Sequence, residues 1–214
     1  SPKTVGGELE VSRRMLLNAR PSVEALLRAD LQNVIATAID KEAIGGDGTG
    51  NTPTGILNVS GTNSVSHSGT SQLPTRGTVL EFIELVDTDN ALMGSLGFLT
   101  HPNVVKYMRS TAIETGDATP IMEGPDTLQG HLCLSSSQVP TDVGGNSPAD
   151  QTALIFGNWA DLLIGYWSAV DILVNPYHTD VYSKGGAKIN ALQDVDIAVR
   201  HPESFAVATD INQT

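Results

Sequence analysis

Pro21-Ser22-Val23-Glu24-Ala25-Leu26-Leu27-Arg28-Ala29-Asp30-Leu31-Gln32-Asn33-Val34-Ile35-Ala36-Thr37-Ala38-Ile39-Asp40-Lys41-Glu42-Ala43-Ile44 is the longest periodic segment of the chain, and Gly45-Gly46-Asp47-Gly48-Thr49-Gly50 follows it at once. Val23, Leu27, Leu31, Val34, Ile35 and Ala38 recur at helical spacing and define one apolar face. Ser22 can cap the segment, and Glu24 places an acid in the first turn, where the helix dipole favours one. Glu24 and Arg28 form an i,i+4 pair in the better orientation. Gly45-Gly46 ends the helix. The spacing predicts an amphipathic helix over 22–44, about 33 Å long, lying on another layer and not buried all round.

The glycine run behind it invites chemistry and supports none. Gly50 to Gly55 has the glycine spacing of a phosphate loop, but Ile56 stands where the phosphate-binding lysine belongs, and the run follows a helix, not a strand. Asp47 is the sole acid in Gly45–Ile56, whereas a calcium loop needs acids at alternate positions. Gly46, Asp47, Gly48, Gly50, Pro53 and Gly55 are therefore read as a structural turn.

Outward from there, 58–77 is rich in Ser, Thr, Gly and Asn and reads as a loop or linker. Helices are expected at 78–93 and from Pro102 to about Arg109, with a strand at 97–100 between them. From Leu128 the period moves towards two. Strands are expected at 132–134, 153–156, 162–167, 169–174, 188–200 and 205–208. In the longest, Ile189, Ala191, Val195, Ile197 and Val199 share a face opposite Asn190, Asp194, Asp196 and Arg200. Helices early and strands late indicate an α+β fold.

Composition narrows the class. The 214 residues are 40% apolar and 17% charged, which opposes disorder. One cysteine, Cys133, excludes an internal disulfide framework and fits a reducing compartment. With 24 acidic against 12 basic residues, net charge −12, nucleic acid is not the expected main ligand. The charge is uneven: residues 1–28 carry net +2 and the rest −14. A basic end on an acidic body suits contacts between copies of one chain, so Arg13, Arg14, Arg20, Glu24 and Arg28 form a candidate assembly interface. The chain opens Ser1-Pro2-Lys3 with no initiator Met or signal peptide, and is read as a processed or truncated form of something longer.

No catalytic constellation emerges. There is no G-x-S-x-G turn, and Cys133 lies between two leucines in an expected strand, the setting of an inert thiol. His67, His101, His131, His178 and His201 are scattered without ligand spacing, so no metal site is expected. The acid pairs Asp87/Asp89 and Asp194/Asp196 fall at a helix end and on a solvated strand face. The sequons at Asn58 and Asn212 lack a secretory context. The apolar stretch 153–174 is interrupted by Asn158, Asp161 and Asp171, which excludes a membrane span.

Three groups of residues, taken in order, resemble the major capsid protein of tailed bacteriophages, the Hong Kong 97-type fold. They are Ser12-Arg13-Arg14-Met15-Leu16-Leu17 with the helix ending Asp40-Lys41-Glu42-Ala43-Ile44; Gly46-Asp47-Gly48-Thr49-Gly50 with Pro53-Thr54-Gly55-Ile56; and Leu128-Gln129-Gly130, Ile155-Phe156-Gly157 and His201-Pro202-Glu203-Ser204-Phe205. The resemblance covers about 12–210. It implies an L-shaped subunit with a long spine helix at 22–44. A peripheral domain would span 1–59 and 166–199, and an axial domain 60–165 and 200–214. It further implies no enzyme activity and no cofactor. Copies would form hexamers and pentamers of an icosahedral head, made in the bacterial cytoplasm, around non-specifically enclosed double-stranded DNA. Scaffold, maturation protease, portal and decoration proteins are the other implied partners.

Relative to that pattern the family's N-terminal arm and extended loop are missing. Tyr182-Ser183-Lys184-Gly185-Gly186 offers no Asn for the covalent cross-link of some members, so none is expected. Asn158 stands where Asp commonly follows the Phe-Gly pair. An acidic chain suits the wall of a DNA container, since a basic wall would bind the polyanion. Two other classes stay open on the sequence: a hydrolase with Asp and His from separate loops, and a secreted binding module.

Overall fold

The structure, a computed structural model, describes residues 1–18, 21–66, 73–113, 119–143 and 151–212. The chain runs β1 (Lys3–Val11), α1 (Arg13–Asn18), α2 (Pro21–Gly45), β2 (Asn63–Ser64), α3 (Arg76–Thr88), β3 (Leu96–Thr100) and α4 (Pro102–Ser110). There follow β4 (Thr127–Leu128), β5 (His131–Ser135), β6 (Gln151–Asn158), β7 (Leu162–Tyr166), β8 (Asp171–Asn175), α5 (Thr179–Tyr182), β9 (Ala187–Val199) and β10 (Phe205–Asn212). The α+β class expected from the order of elements is what the chain adopts.

The strands form two sheets. In the first, β9 is central and antiparallel to β1 along one edge, while β7 and β8 share its other edge. Alternation along β9 places Ala191 and Val195 inward, fully buried, against Leu31, Ile35 and Ile39 of α2. The helix thus lies across one face of this sheet. Its buried stripe is narrower than the sequence suggested. Leu31, Ile35 and Ile39 are buried at strict i+4 spacing, whereas Val34, expected on that face, is 55% exposed.

The second sheet has the order β2-β10-β6-β3-β5-β4. Its strand β6 is buried at every position, because α3 and α4 cover one face and the end of α2, with Ile56 and Val139, covers the other. Phe82, Val86, Val104 and Met108 of α3 and α4 meet Phe98, Cys133 and Phe156 on one side. Ile44, Ile56, Val139, Ile155, Phe205 and Val207 form the cluster on the other. Because Ile44 ends α2, that helix contributes to the cores of both sheets.

Several boundaries differ from expectation for identifiable reasons. Helix α3 begins at Arg76, where Thr75 and Thr78 exchange backbone and side-chain hydrogen bonds in a capping box. It stops at Thr88 and not at Met93, because Asn90 turns left-handed at φ +56°. Strand β7 joins the first sheet, so the chain changes sheets between Asn158 and Leu162 and not at 165–166. Within the expected loop 58–77, Asn63–Ser64 adds a parallel edge to β10. Strand β1 falls within the basic end, 1–28, for which the sequence suggests no strand, although Val5, Leu9 and Val11 alternate with Glu8 and Glu10. Among the described residues no helix is long and apolar enough to cross a membrane.

Candidate functional site

The glycine turn is a cross-brace. Asp47 anchors it: its carboxylate accepts from the Thr49 N–H at 3.0 Å, from the Thr49 hydroxyl at 2.7 Å and from the Thr52 hydroxyl. Those bonds hold the Asp47 carboxyl down at about 2, the Thr52 hydroxyl contributing most. The Gly46 N–H donates to Glu42 O at 2.9 Å, and the Gly55 N–H to Gly46 O at 2.9 Å. A Cβ on Gly46 would sit 2.2 Å from Pro53 O, so no larger residue fits. Gly48 has φ +71°, with Thr54 Oγ1 2.4 Å from where its Cβ would be.

The turn also reaches outward. Lys3 donates from Nζ to Gly50 O at 2.9 Å, tying the turn to the start of β1. Asn58, which the sequence offered only as a sequon, donates from Nδ2 to Gly45 O at 3.1 Å and Gly46 O at 3.0 Å. Pro53 and Gly55 are buried, and Ile56 behind them is fully buried between α2 and β10. The loop therefore clamps the end of the long helix to both sheets and leaves no open cradle for a phosphate.

The second constellation lies where the chain changes sheets, and the sequence names its Asn158, Asp161 and Ser204 without bringing them together. Asn158 donates from Nδ2 to Asp161 Oδ2 at 2.9 Å, and the Ser204 hydroxyl donates to the same oxygen at 2.9 Å. Asn158 Oδ1 accepts from the Ser95 N–H at 3.0 Å and the Ala160 N–H at 3.2 Å. The Arg200 N–H donates to Asp161 O at 2.8 Å. The ends of β6 and β9 and the starts of β3, β7 and β10 meet at this buried knot. An amide followed three residues later by an acid, after an apolar strand, was the available signal.

Among the candidate interface residues, Arg13 and Arg14 open α1 and are exposed, and Arg28 is exposed on α2. Arg13 lies along Gly185, where an added Cβ would be 3.1 Å from Arg13 Cδ. Arg20 and the side chain of Glu24 lie outside the described residues, and with them the expected Glu24–Arg28 pair.

Four histidines are described, each on a different element or loop. His101 and His178 cap α4 and α5, their Nδ1 atoms accepting from Asn103 N–H at 3.3 Å and Asp180 N–H at 3.4 Å. His131 packs edge-on to Phe156 with ring centroids 5.2 Å apart. His201 borders a cleft of about 360 Å³ with Asp89, Arg200 and Glu203, where no second histidine joins it. His67 lies outside the described residues. Cys133 is 1% exposed, and burial pushes its thiol up to about 12, far from a nucleophile's range. Among the described residues no group of three His, Cys, Asp or Glu could hold a metal ion.

Comparison with known proteins agrees with this architecture of braces without an active centre. The chain is 26% identical over 208 residues to the major capsid protein of Halomonas phage phiHAP-1, covering 97% of this chain and 32% of that protein. It is 24% identical over 225 residues to the major capsid protein of Klebsiella oxytoca phage phiKO2, covering 98% of this chain and 52% of that protein. The chain thus spans from about a third to about half the length of these curated relatives. In three dimensions it resembles the capsid of a native GTA particle with a TM-score of 0.74 at 17% identity, covering 98% of this chain and 73% of the other. The fold is the Hong Kong 97-like capsid fold, and capsid proteins of this kind are structural, not enzymes. The model of the phage capsid family matches residues 1–210, and this chain belongs to that family.

Proposed function

We propose that this chain forms the shell-building part of a phage or prophage major capsid protein. Copies assemble as hexamers and pentamers that close into an icosahedral head around double-stranded DNA. The observation that carries the reading is the long helix α2 braced across one sheet and keyed by Ile44 and the glycine turn into the other. Such a subunit is an extended, rigid tile, and its chemistry is surface repeated by symmetry.

In this reading α2 is the spine, the four-stranded sheet belongs to a peripheral domain, and the six-stranded sheet belongs to an axial domain around the capsomer axis. Arg13, Arg14, Arg20, Glu24 and Arg28 contribute to contacts between subunits, and the glycine turn keeps the spine's end in place. The wall carries net charge −12, so the enclosed DNA is held without sequence recognition and is not adsorbed. Scaffold, maturation protease, portal and decoration proteins are the further partners, and the product accumulates in the host cytoplasm before maturing into the virion.

The test is electron microscopy of the full-length gene product, coexpressed with its cognate scaffold and protease. Closed shells or ring capsomers are expected. Soluble monomers under those conditions would overturn the proposal.

A further inference from the structure

The knot at the crossing between the sheets leaves one atom open. Both side-chain donors that reach the Asp161 carboxylate, Asn158 Nδ2 and the Ser204 hydroxyl, go to Oδ2. Oδ1 accepts from no described residue, although Asp161 is only 9% exposed. A carboxylate oxygen in that setting is costly to leave without a donor. Asn158, Asp161 and Ser204 form the floor of the cleft of about 360 Å³, a volume at the low end for ligand pockets. Asp89 and Glu203, both exposed, border it with Arg200 and His201, and Ala91 and Met93 line its apolar side.

Charge and geometry define what the cleft takes. Asp89, Asp161 and Glu203 stand against the single guanidinium of Arg200, with His201 the remaining titratable group, so the cleft favours a cation. Among the described residues no three of His, Cys, Asp and Glu come together as metal ligands, so a bare ion lacks its coordination shell. The fork of an arginine calls for both oxygens of one carboxylate, and at the floor Oδ2 is already taken twice. A compact ammonium carries three N–H donors and needs only single oxygens. Asp161 Oδ1 supplies one, and Asp89 and Glu203 supply the others from the end of α3 and the start of β10. The methylene stem of a lysine is matched by Met93, 66% exposed.

The chain has five lysines. Lys3 is bonded to Gly50 O and Lys188 to Glu8, each at 2.9 Å. Lys41, Lys106 and Lys184 are exposed without a partner among the described residues, and none of them borders the cleft. Lys184 stands just before β9, whose thirteen residues put it about 40 Å from the cleft at the other end of that strand. We propose that the cleft binds the ε-ammonium of a lysine from a second copy of this chain, Lys41, Lys106 or Lys184, seated on Asp161 Oδ1 between Asp89 and Glu203. The neighbour's lysine satisfies the acceptor that the knot leaves open, so contact between subunits secures the crossing between the sheets. Donor and cleft are different surfaces of one subunit, and the contact is head-to-tail. The inference rests on the capsid reading and names one site by which neighbours recognise each other.

The experiment assembles the full-length protein from an equal mixture of isotope-labelled and unlabelled subunits and treats the shells with a water-soluble carbodiimide, which joins a carboxylate to an amine it touches. Mass spectrometry is expected to find Asp89 or Glu203 joined to Lys41, Lys106 or Lys184, with mixed-label pairs present. Pairs that never carry mixed label would place the lysine in the same chain and overturn the proposal. Normal shells without the join would also overturn it and leave the capsid reading intact. Wild-type protein that forms neither shells nor rings would overturn both. Asp161→Asn then tests the floor, because its amide oxygen still accepts both bonds of the knot while its NH2 group replaces the open acceptor. The join should fall about tenfold with the melting temperature unchanged, and an undiminished join would discard the site. Should that variant fold poorly, Glu203→Gln serves, with the join at Asp89 falling about threefold. No fall there would discard the site as well.

Discussion

Asn158 Nδ2 donates to Asp161 Oδ2 at 2.9 Å where the chain passes from the end of β6 in one sheet to the start of β7 in the other. Asp161 is 9% exposed and Asn158 8%, at the floor of the cleft beside His201, so water only partly replaces a lost partner. Asp161→Ala strands the Asn158 amide and the Ser204 hydroxyl in the interior. A loss of about 3 kcal/mol is expected, read from the denaturant midpoint.

Asn158→Asp makes the complementary point. It sets a second carboxylate against the Asp161 oxygen, and the introduced pair cannot ionise fully. One carboxyl of the pair is raised above its unfolded value, so the variant's deficit is absent at low pH and grows as pH rises through that raised value. About 2 kcal/mol should be lost at pH 7 and most of it regained near pH 4. An unfolding series across that range checks the sign.

The glycine turn separates two kinds of glycine. Gly46→Ala drives a Cβ to 2.2 Å from Pro53 O and 2.7 Å from Glu42 O, both backbone atoms. A loss of about 3 kcal/mol or more is expected. Gly50 has φ +58° but nothing within 4 Å of its Cβ position, so Gly50→Ala should cost only about 1 kcal/mol. Thermal melting of the two variants side by side gives the comparison.

The orientation of α2 predicts a second contrast. Ile35 is 2% exposed against Ala191 and Val195, and Ile35→Ala should destabilise by about 3 kcal/mol. Val34, one residue earlier and 55% exposed, should tolerate alanine within about 0.5 kcal/mol. Equal effects would mean that the helix is rotated from the position described.

Asp47 titrates low because its charged form is the acceptor for the turn. Its folded value of about 2 lies below the ordinary 3.8, so the turn's added stability is present above about pH 4 and is lost as pH falls through about 2. Carboxyl-carbon NMR should give a midpoint near about 2. Asp47→Asn should speed hydrogen exchange at the Thr49 N–H, which that carboxylate accepts at 3.0 Å.

Much of this was legible in the chain, because local physics sets it. The 3.6-residue recurrence of Leu27, Leu31 and Ile35 marks a helix whatever it packs on, and the alternation of Ile189 to Val199 marks a strand. Glycines at 46, 48, 50 and 55 announce a turn.

What the linear order withheld is what depends on distant partners. Strand β1 became a strand only because β9, about 180 residues on, offers it nine paired residues. Val34 fell outside the buried stripe because the sheet's flat face accepts a narrower band of helix than periodicity alone allows. The Asn158, Asp161 and Ser204 side chains carry no motif, and they matter only where two crossings between the sheets meet. Sequence by itself determined the long helix, the longest strand, the glycine turn and the family, since propensity and periodicity are properties of neighbours along the chain. Tertiary structure alone decided which face of the first sheet is left bare, because that face exists only once α2 has covered the other.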